Sequence, residues 1–390
     1  MTNIIYLDYH STTPVDPRVA EKVMYYMTTA FGKANSVDHD YGNAAAKAVK
    51  QARQQIADLI NASPKEIIFT SGATESINLV IQGQISTSLD YQIAQQNTPA
   101  KIIVSPVEHK AVIDTCKALV KKGLAEIIWL KVNQQAQIDL EYLEKVCADG
   151  AALLCVMAAN NEVGTIYPIK KIGAIASSHN IPFLCDASQA VGKIPLNFQD
   201  WGITYLAISG HKLYAPKGVG VLVVRKNNLL PPMIYGGGHQ QGLRSGTLNV
   251  PGIVGVGEAC RLRRLEMEQD ENAIAILRNQ LQNQLQAAIP ELVVNGDLNN
   301  RLSGNLHISI PDISNTAIIA RVRQQLAIST GAACSSGVVA PSHVLQAMHL
   351  PENIIDGSLR IGLGKFTTQA EVEKASCILI NTINEIQKLY

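Results

Sequence analysis

From residue 45 to about 225 the chain alternates stretches with apolar residues at helical spacing and short runs of isoleucine, valine and leucine without polar alternation. A run that is apolar at every position reads as a strand buried on both faces. Helices alternating with such strands predict an α/β fold with a mostly parallel sheet. The candidate strands are EIIF (66–69), KIIVS (101–105), EIIWL (126–130), ALLCVMA (152–158), PFLCDA (182–187), YLAIS (205–209) and VGVLVV (219–224). A glycine-rich passage, GGGHQQGLRSGT (236–247), leads into a long charged helical segment over about 252–289. Beyond it HISIP, LAIST and SLRIGL alternate with helices. That change of texture predicts a smaller α+β domain of about 125 residues. The expected division is a large domain over 15–260 and a small one formed by 1–14 together with 261–390.

Composition narrows the class. At 390 residues, 17% charged and mean hydropathy +0.08, the chain has material for a large core and for a buried subunit interface. A formal charge of +1 gives no electrostatic footprint for nucleic acid. No apolar run approaches the length of a membrane span, and MTNIIYLDYH has no basic-then-apolar secretory pattern, so the expected location is the cytoplasm. Seven cysteines stand at 116, 147, 155, 185, 260, 334 and 377, too dispersed for a metal knuckle. Six lie in apolar helix-like or strand-like surroundings and are expected in the core, whereas Cys334 lies in a stretch of Gly, Ser and Ala.

In an open parallel sheet, ligands bind beyond the carboxyl ends of the strands, so the residues just past each strand carry the chemistry. EIIF runs into Gly72, Ala73 and Thr74, a candidate helix start whose free N–H groups can hold a phosphate. KIIVS is succeeded by His109, ALLCVMA by Asn160, Asn161 and Glu162, and PFLC by Asp186 and Gln189. YLAIS ends at Ser209, before His211 and Lys212. A lysine on a tight connection at a strand end, if desolvated, gives up its proton easily and suits covalent chemistry with an aldehyde. A phosphate cradle, a stacking imidazole, a carboxylate for a pyridinium proton, amides for a phenolic oxygen and an amine are the parts that pyridoxal phosphate needs. No G-x-G-x-x-G nicotinamide fingerprint stands after any of these strands.

These residues resemble the cysteine desulfurases of the NifS and IscS kind, members of the class V aminotransferases with the fold type I architecture of pyridoxal phosphate enzymes. The resemblance runs from YLDYHSTTPVDPRV through FGKANS, FTSGATES, VEHKAV, NNEVGTIYP, DASQAVGKIP, SGHKLYAPKGVG, GGGHQQGLRSGT and STGAACSSG to SLRIGLGKFTT, in the family's order. It implies that Lys212 carries the cofactor, that Asp186 partners the pyridine nitrogen, and that His109 stacks on the ring and exchanges protons. Asn161 and Gln189 would hold the ring hydroxyl. Ala73, Thr74, Ser209 and His211 would hold the phosphate, and Thr247 would reach the phosphate site of a second subunit in a homodimer. Arg360 and Asn161 would bind the substrate, L-cysteine, the arginine through a fork that lysine cannot copy. Cys334 would take the sulfur as a persulfide and leave L-alanine. Its loop has the longer form of the NifS and IscS group, which implies direct transfer to an acceptor such as an iron–sulfur scaffold.

A selenocysteine lyase or another class V aminotransferase-type enzyme is the alternative reading, and a binding-only relay subunit is a third. Three departures from the family pattern stand out: His10 and Ser11 near the substrate segment, Lys33 and Ala34, and an end at Tyr390 without the carboxyl-terminal tail of some relatives. His10 is either a tolerated substitution or a group that adds a pH-dependent step or a hydrogen bond to substrate or loop, since an imidazole ordinarily titrates near neutrality.

Overall fold

The computed structural model describes residues 4–92, 99–228, 230–331 and 341–388. Cys334 lies outside them. The strands are β1 (Ile5–Tyr6), β2 (Ile67–Thr70), β3 (Ala100–Val104), β4 (Ala125–Trp129), β5 (Leu153–Cys155) and β6 (Phe183–Asp186). After them come β7 (Tyr205–Ser209), β8 (Gly220–Val224), β9 (Val293–Val294), β10 (Asn305–Ser309), β11 (Leu326–Ala327) and β12 (Ser358–Gly362). The main helices of the amino-terminal two-thirds are α1 (Pro17–Thr28), α2 (Asp40–Ile60), α3 (Ala73–Gln92), α4 (Lys110–Lys121), α5 (Leu140–Ala148), α6 (Ile169–Ser178) and α7 (Val250–Ala288).

A seven-stranded sheet in the order β2-β8-β7-β6-β5-β3-β4 forms the centre. All its neighbouring pairs are parallel except those made by β8, which runs antiparallel to both β2 and β7. Strands β2, β5, β6, β7 and β8 are buried at every position, which is why they read as unbroken apolar runs. One face packs on α2, α6 and the first half of α7, and the other on α3 and α4. The first half of α7 is buried almost all round, from Val250 to Leu262, so this stretch is core on every side.

A second apolar core lies around the antiparallel sheet β12-β10-β9 and includes Ile5 and Leu7. The later part of α7 joins it through Ile274, Leu281 and Leu285. Strand β1 pairs in parallel with β11, so the amino-terminal segment is tied to the carboxyl-terminal half. One continuous helix thus serves both cores. Of the six cysteines expected inside, Cys116, Cys147, Cys155, Cys185 and Cys260 are buried, but Cys377 is exposed. It sits on the amphipathic helix Gln369–Gln387, whose core face is made instead by Val372, Ala375, Leu379 and Ile383. Among the described residues no helix is long and apolar enough to cross a membrane.

Candidate active site

A cavity of about 960 Å³ opens beyond the carboxyl ends of β2, β3, β5, β6 and β7, where an open parallel sheet is expected to bind ligand. It gathers Ala73, Thr74, His109, Asn161, Asp186, Gln189, Ser209, His211, Lys212 and Arg360, all named from the sequence. Thr247 is exposed and does not line it.

Lys212 ends a single 3₁₀ turn, Gly210–Lys212, that begins as soon as β7 stops. The turn is tight enough that a Cβ on Gly210 would lie 2.9 Å from the Val219 carbonyl oxygen. The Lys212 amine points inward and donates to the carbonyls of His10 (2.5 Å) and Ser11 (2.6 Å). Desolvation, helped by the positive charges of Lys193 and Arg360, pulls its pKa from 10.5 down to about 7, against the opposing pull of Asp8 and Asp186. At neutral pH much of this amine is therefore unprotonated and nucleophilic.

Asp186 is the last residue of β6. Its Oδ1 is occupied by the Ser188 amide (2.9 Å) and hydroxyl (2.6 Å), while Oδ2 accepts no protein hydrogen bond among the described residues. His109 caps α4, its Nδ1 accepting from the Ala111 amide at 3.1 Å, so in the neutral ring Nε2 carries the proton. His211 bonds Thr12 Oγ1 through Nδ1 at 3.0 Å, and burial beside Lys212, Lys217 and Lys193 lowers its pKa to about 4.

The first turn of α3 presents amides toward the cavity where Ala73 and Thr74 line it. Its loop lies so close to β8 that a Cβ on Gly220 would stand 2.4 Å from Gly72 Cα. The carboxylate of Glu75, which would repel an anion there, is neutralised by Arg244 (Nε to Oε1, 2.9 Å) from the glycine-rich passage. That passage is further pinned by Gln240, whose carboxamide accepts from the Phe69 amide (2.7 Å) and donates to the Phe69 carbonyl (2.8 Å).

Arg360, on β12, is buried and donates to Asp8 Oδ1 (3.0 Å), Ser11 Oγ (2.7 Å) and the Asn161 carbonyl (3.0 Å). Three of its five N–H groups are so used, which fixes the guanidinium and leaves donors for an anion. Ser11, a departure from the family pattern, thus braces the arginine. Of the readings open for His10, a group titrating near neutrality does not fit. His10 is 2% exposed, and burial together with Lys193, Arg360 and Lys212 holds its pKa well below the usual 6.5.

Sequence reading gave no role to several residues in or beside the cavity. Glu162 is buried, accepts from Ser342 Oγ at 2.5 Å, and is pushed up to about 7 by desolvation. Asp8 and Lys193 also escaped notice, although each touches a residue with an expected role, Arg360 and Gln189 respectively. The only signal for Asp8 was its place in the LDYHST segment.

The donor set fits pyridoxal 5'-phosphate. It offers a free amine, a carboxylate oxygen without a protein partner among the described residues, an exposed imidazole, and a helix amino terminus whose acidic residue is already paired.

The chain matches the family Aminotransferase class-V over residues 5–375. It is 42% identical over 393 aligned residues to the cysteine desulfurase IscS of Rickettsia typhi, covering 100% of this chain and 93% of that protein. A solved NifS-like protein superposes with a TM-score of 0.88 at 34% identity, covering 99% of this chain and 100% of that one. The structure of SspA in complex with cysteine superposes with a TM-score of 0.80 at 33% identity, covering 93% of this chain and 99% of that one.

Proposed function

Because the chain belongs to the class-V aminotransferase family, we propose that it is a cysteine desulfurase, converting L-cysteine to L-alanine and passing the sulfur to its own Cys334. The observation that carries this reading is the buried Lys212 amine, pointing inward to the His10 and Ser11 carbonyls and enclosed with Asp186 and Arg360 in one cavity. Pyridoxal phosphate, when bound, supplies an aldehyde for covalent attachment and a ring that stabilises negative charge at the substrate α-carbon.

The residues of the chain do the rest. Lys212 and Asp186 would hold the cofactor's aldehyde carbon and ring nitrogen, Gln189, Asn161 and His109 its ring, and Ala73, Thr74, Ser209 and His211 its phosphate. Arg360 binds the substrate carboxylate and so orients the α-hydrogen. The Lys212 amine, once freed from the cofactor, would be available unprotonated near neutrality because burial lowers its pKa to about 7, and would remove that proton and return it. The thiolate of Cys334 attacks the substrate sulfur: a sulfur–sulfur bond forms, the carbon–sulfur bond breaks, and the carbon keeps the electron pair and is protonated to alanine. The described residues on either side of Cys334, among them Gly331 and Ser342, line the cavity, which supports this assignment. The persulfide then passes to an acceptor protein, for which an iron–sulfur scaffold is the candidate.

Cys334→Ser tests the sulfur step. The variant is expected to keep the bound cofactor and its spectral response to cysteine, while sulfide and alanine release fall by about a thousandfold or more, as for loss of an activated nucleophile. Release at the wild-type rate would remove Cys334 from the mechanism.

His10→Asn is expected to leave the pH profile of cysteine turnover unmoved, because the imidazole is already neutral across the working range. An acid limb that shifts in this variant would show that His10 titrates after all.

The chain is further proposed to act as a homodimer. Met24, Tyr25, Met27, Phe31, Val37 and Tyr41 are large apolar side chains left exposed, Phe31 and Tyr41 in contact with each other, and Tyr235, just before the glycine-rich passage, is 80% exposed. Thr247 is exposed, which leaves its hydroxyl accessible to a neighbouring copy and supports this reading. Thr247→Ala is expected to weaken cofactor retention by about 1.5 to 3 kcal/mol, one hydrogen bond to a charged group. Cofactor affinity and sedimentation check this together; a fully active monomer would contradict it.

A further inference from the structure

Lys193 is a desolvated cation for which the mechanism above has no use. It lies one turn after Gln189, and its Nζ donates to Gln189 Oε1 at 2.9 Å. Gln189 Nε2 in turn donates to the His10 carbonyl at 2.9 Å, the same oxygen that accepts from Lys212 Nζ. We propose that Lys193 is a positioning residue: it fixes which way the Gln189 carboxamide faces, and through it the carbonyl on which the Lys212 amine rests.

An ammonium has three donors and no acceptor, so it admits only the oxygen end of a carboxamide. A flipped Gln189 would set its amino group against Lys193 and lose both bonds. With Oε1 so directed, Nε2 is left to reach His10, and its second N–H remains as a donor for an anionic oxygen in the cavity. His10 Nδ1 lies 3.2 Å from the same Oε1, which makes Nδ1 the protonated nitrogen of the neutral ring. One cation thus orders a carboxamide, an imidazole tautomer and the amino-terminal segment that carries His10 and Ser11.

The turn that holds Lys193 is itself held from α7. Arg263 Nε donates to the Gly192 carbonyl at 2.6 Å, and its Nη2 pairs with Glu271 at 2.9 Å. Gly192 adopts a φ of +72°, and a Cβ there would lie 2.9 Å from Arg263 Cγ, so glycine is required at this position. Glu271 favours the charged form of Lys193, while desolvation, Arg263 and Arg360 oppose it. Toward Lys212, the positive charge of Lys193 acts with Arg360 against Asp8 and Asp186. Lys193 therefore acts on the same amine in two ways, through the hydrogen-bonded carboxamide and through its charge.

The inference rests on the reading that Lys212 carries the cofactor, and its test separates the two. The full chain, stripped of cofactor, is titrated with trinitrobenzenesulfonate and labelling at Lys212 is monitored by peptide mass against pH, for wild type, Lys193→Met and Lys193→Gln. Both variants lose the charge, so the Lys212 midpoint is expected to rise by about one pH unit in each. Only Lys193→Met also loses the donor to Gln189. Pyridoxal phosphate should dissociate about tenfold faster from it, and close to normally from Lys193→Gln, whose amide can still donate.

The glutamine variant keeps a polar group in the site and serves if the methionine variant does not fold. A wild-type midpoint in a folded variant overturns the electrostatic role, and unchanged retention in Lys193→Met overturns the carboxamide relay. A lowered melting temperature with both readouts unmoved reduces Lys193 to packing. Borohydride trapping of the cofactor on another lysine in the wild type would instead refute the Lys212 reading, and would leave the midpoint result standing.

Discussion

Lys212→Ala is expected to abolish cysteine turnover, with a loss of about ten-thousandfold or more, because the one group that anchors the cofactor and accepts the α-proton is removed. The same variant is expected to be more stable than wild type when both lack cofactor. In the folded chain the amine loses its proton near about 7, against 10.5 for an ordinary lysine. Between these values the unfolded chain binds a proton that the folded chain does not, so the stability contributed by this position increases as pH rises through that window. Below about 7 both states are protonated and the burial penalty is complete; above 10.5 it vanishes. Removing the lysine should thus stabilise the cofactor-free protein by on the order of 1 to 3 kcal/mol at neutral and lower pH, with the gain fading toward 10.5. Thermal melts across that range check it. A gain that grows with pH would mean that the amine is not held unprotonated by its surroundings. Activity is thus obtained at the expense of stability at this position.

Arg360→Lys is expected to lower kcat/KM for cysteine by about a hundredfold or more, chiefly through KM, although the charge is retained. The guanidinium here is a planar hub: Asp8, Ser11 and the Asn161 carbonyl occupy three of its donors and hold the plane fixed for a carboxylate. A lysine ammonium is a point charge with three donors and cannot satisfy those acceptors and also a two-pronged anion. Steady-state alanine release over a range of cysteine concentrations checks this. A variant with wild-type KM would show that the carboxylate is bound elsewhere.

Six of the seven central strands were legible because each is desolvated on both faces, or nearly so, while the edge strand β4 is only partly buried and was legible from its apolar run IIW alone. Two-residue strands such as β1, β9 and β11 leave no such trace, and β11 is only the start of the LAIST run that suggested a full strand. The joint between the two cores, expected at 260/261 from the change of texture, leaves no local mark of its own. It falls within α7, where helical periodicity continues without a cap or a break, so the change from Leu262 to Ile274 is a change of neighbour rather than of pattern.

The site was legible where chemistry sits at strand ends. Asp186 and Ser209 close their strands and Lys212 comes one turn later, and sheet topology alone brings them together. What escaped was the set of partners. Asp8 and Arg360 are separated by more than three hundred positions and meet only because β1 pairs with β11 and β12 passes beside both. Lys193 reads as a turn lysine until α7 is placed over it. A pH-dependent step at His10 was one of the readings the sequence allowed, beside a merely tolerated side chain, and only the packing of its segment onto Gln189 and Gly362 shows that it is buried.

The central claim is that Lys212 carries the cofactor in an enzyme that moves sulfur from cysteine to Cys334. The most direct measurement is a single-turnover reaction of the pyridoxal phosphate-loaded wild-type protein with L-cysteine and no acceptor, with alanine counted and Cys334 mapped by mass. The account predicts equal amounts of alanine and of a Cys334 peptide heavier by one sulfur. Alanine without sulfur on Cys334, or pyruvate and ammonia in place of alanine, would contradict it.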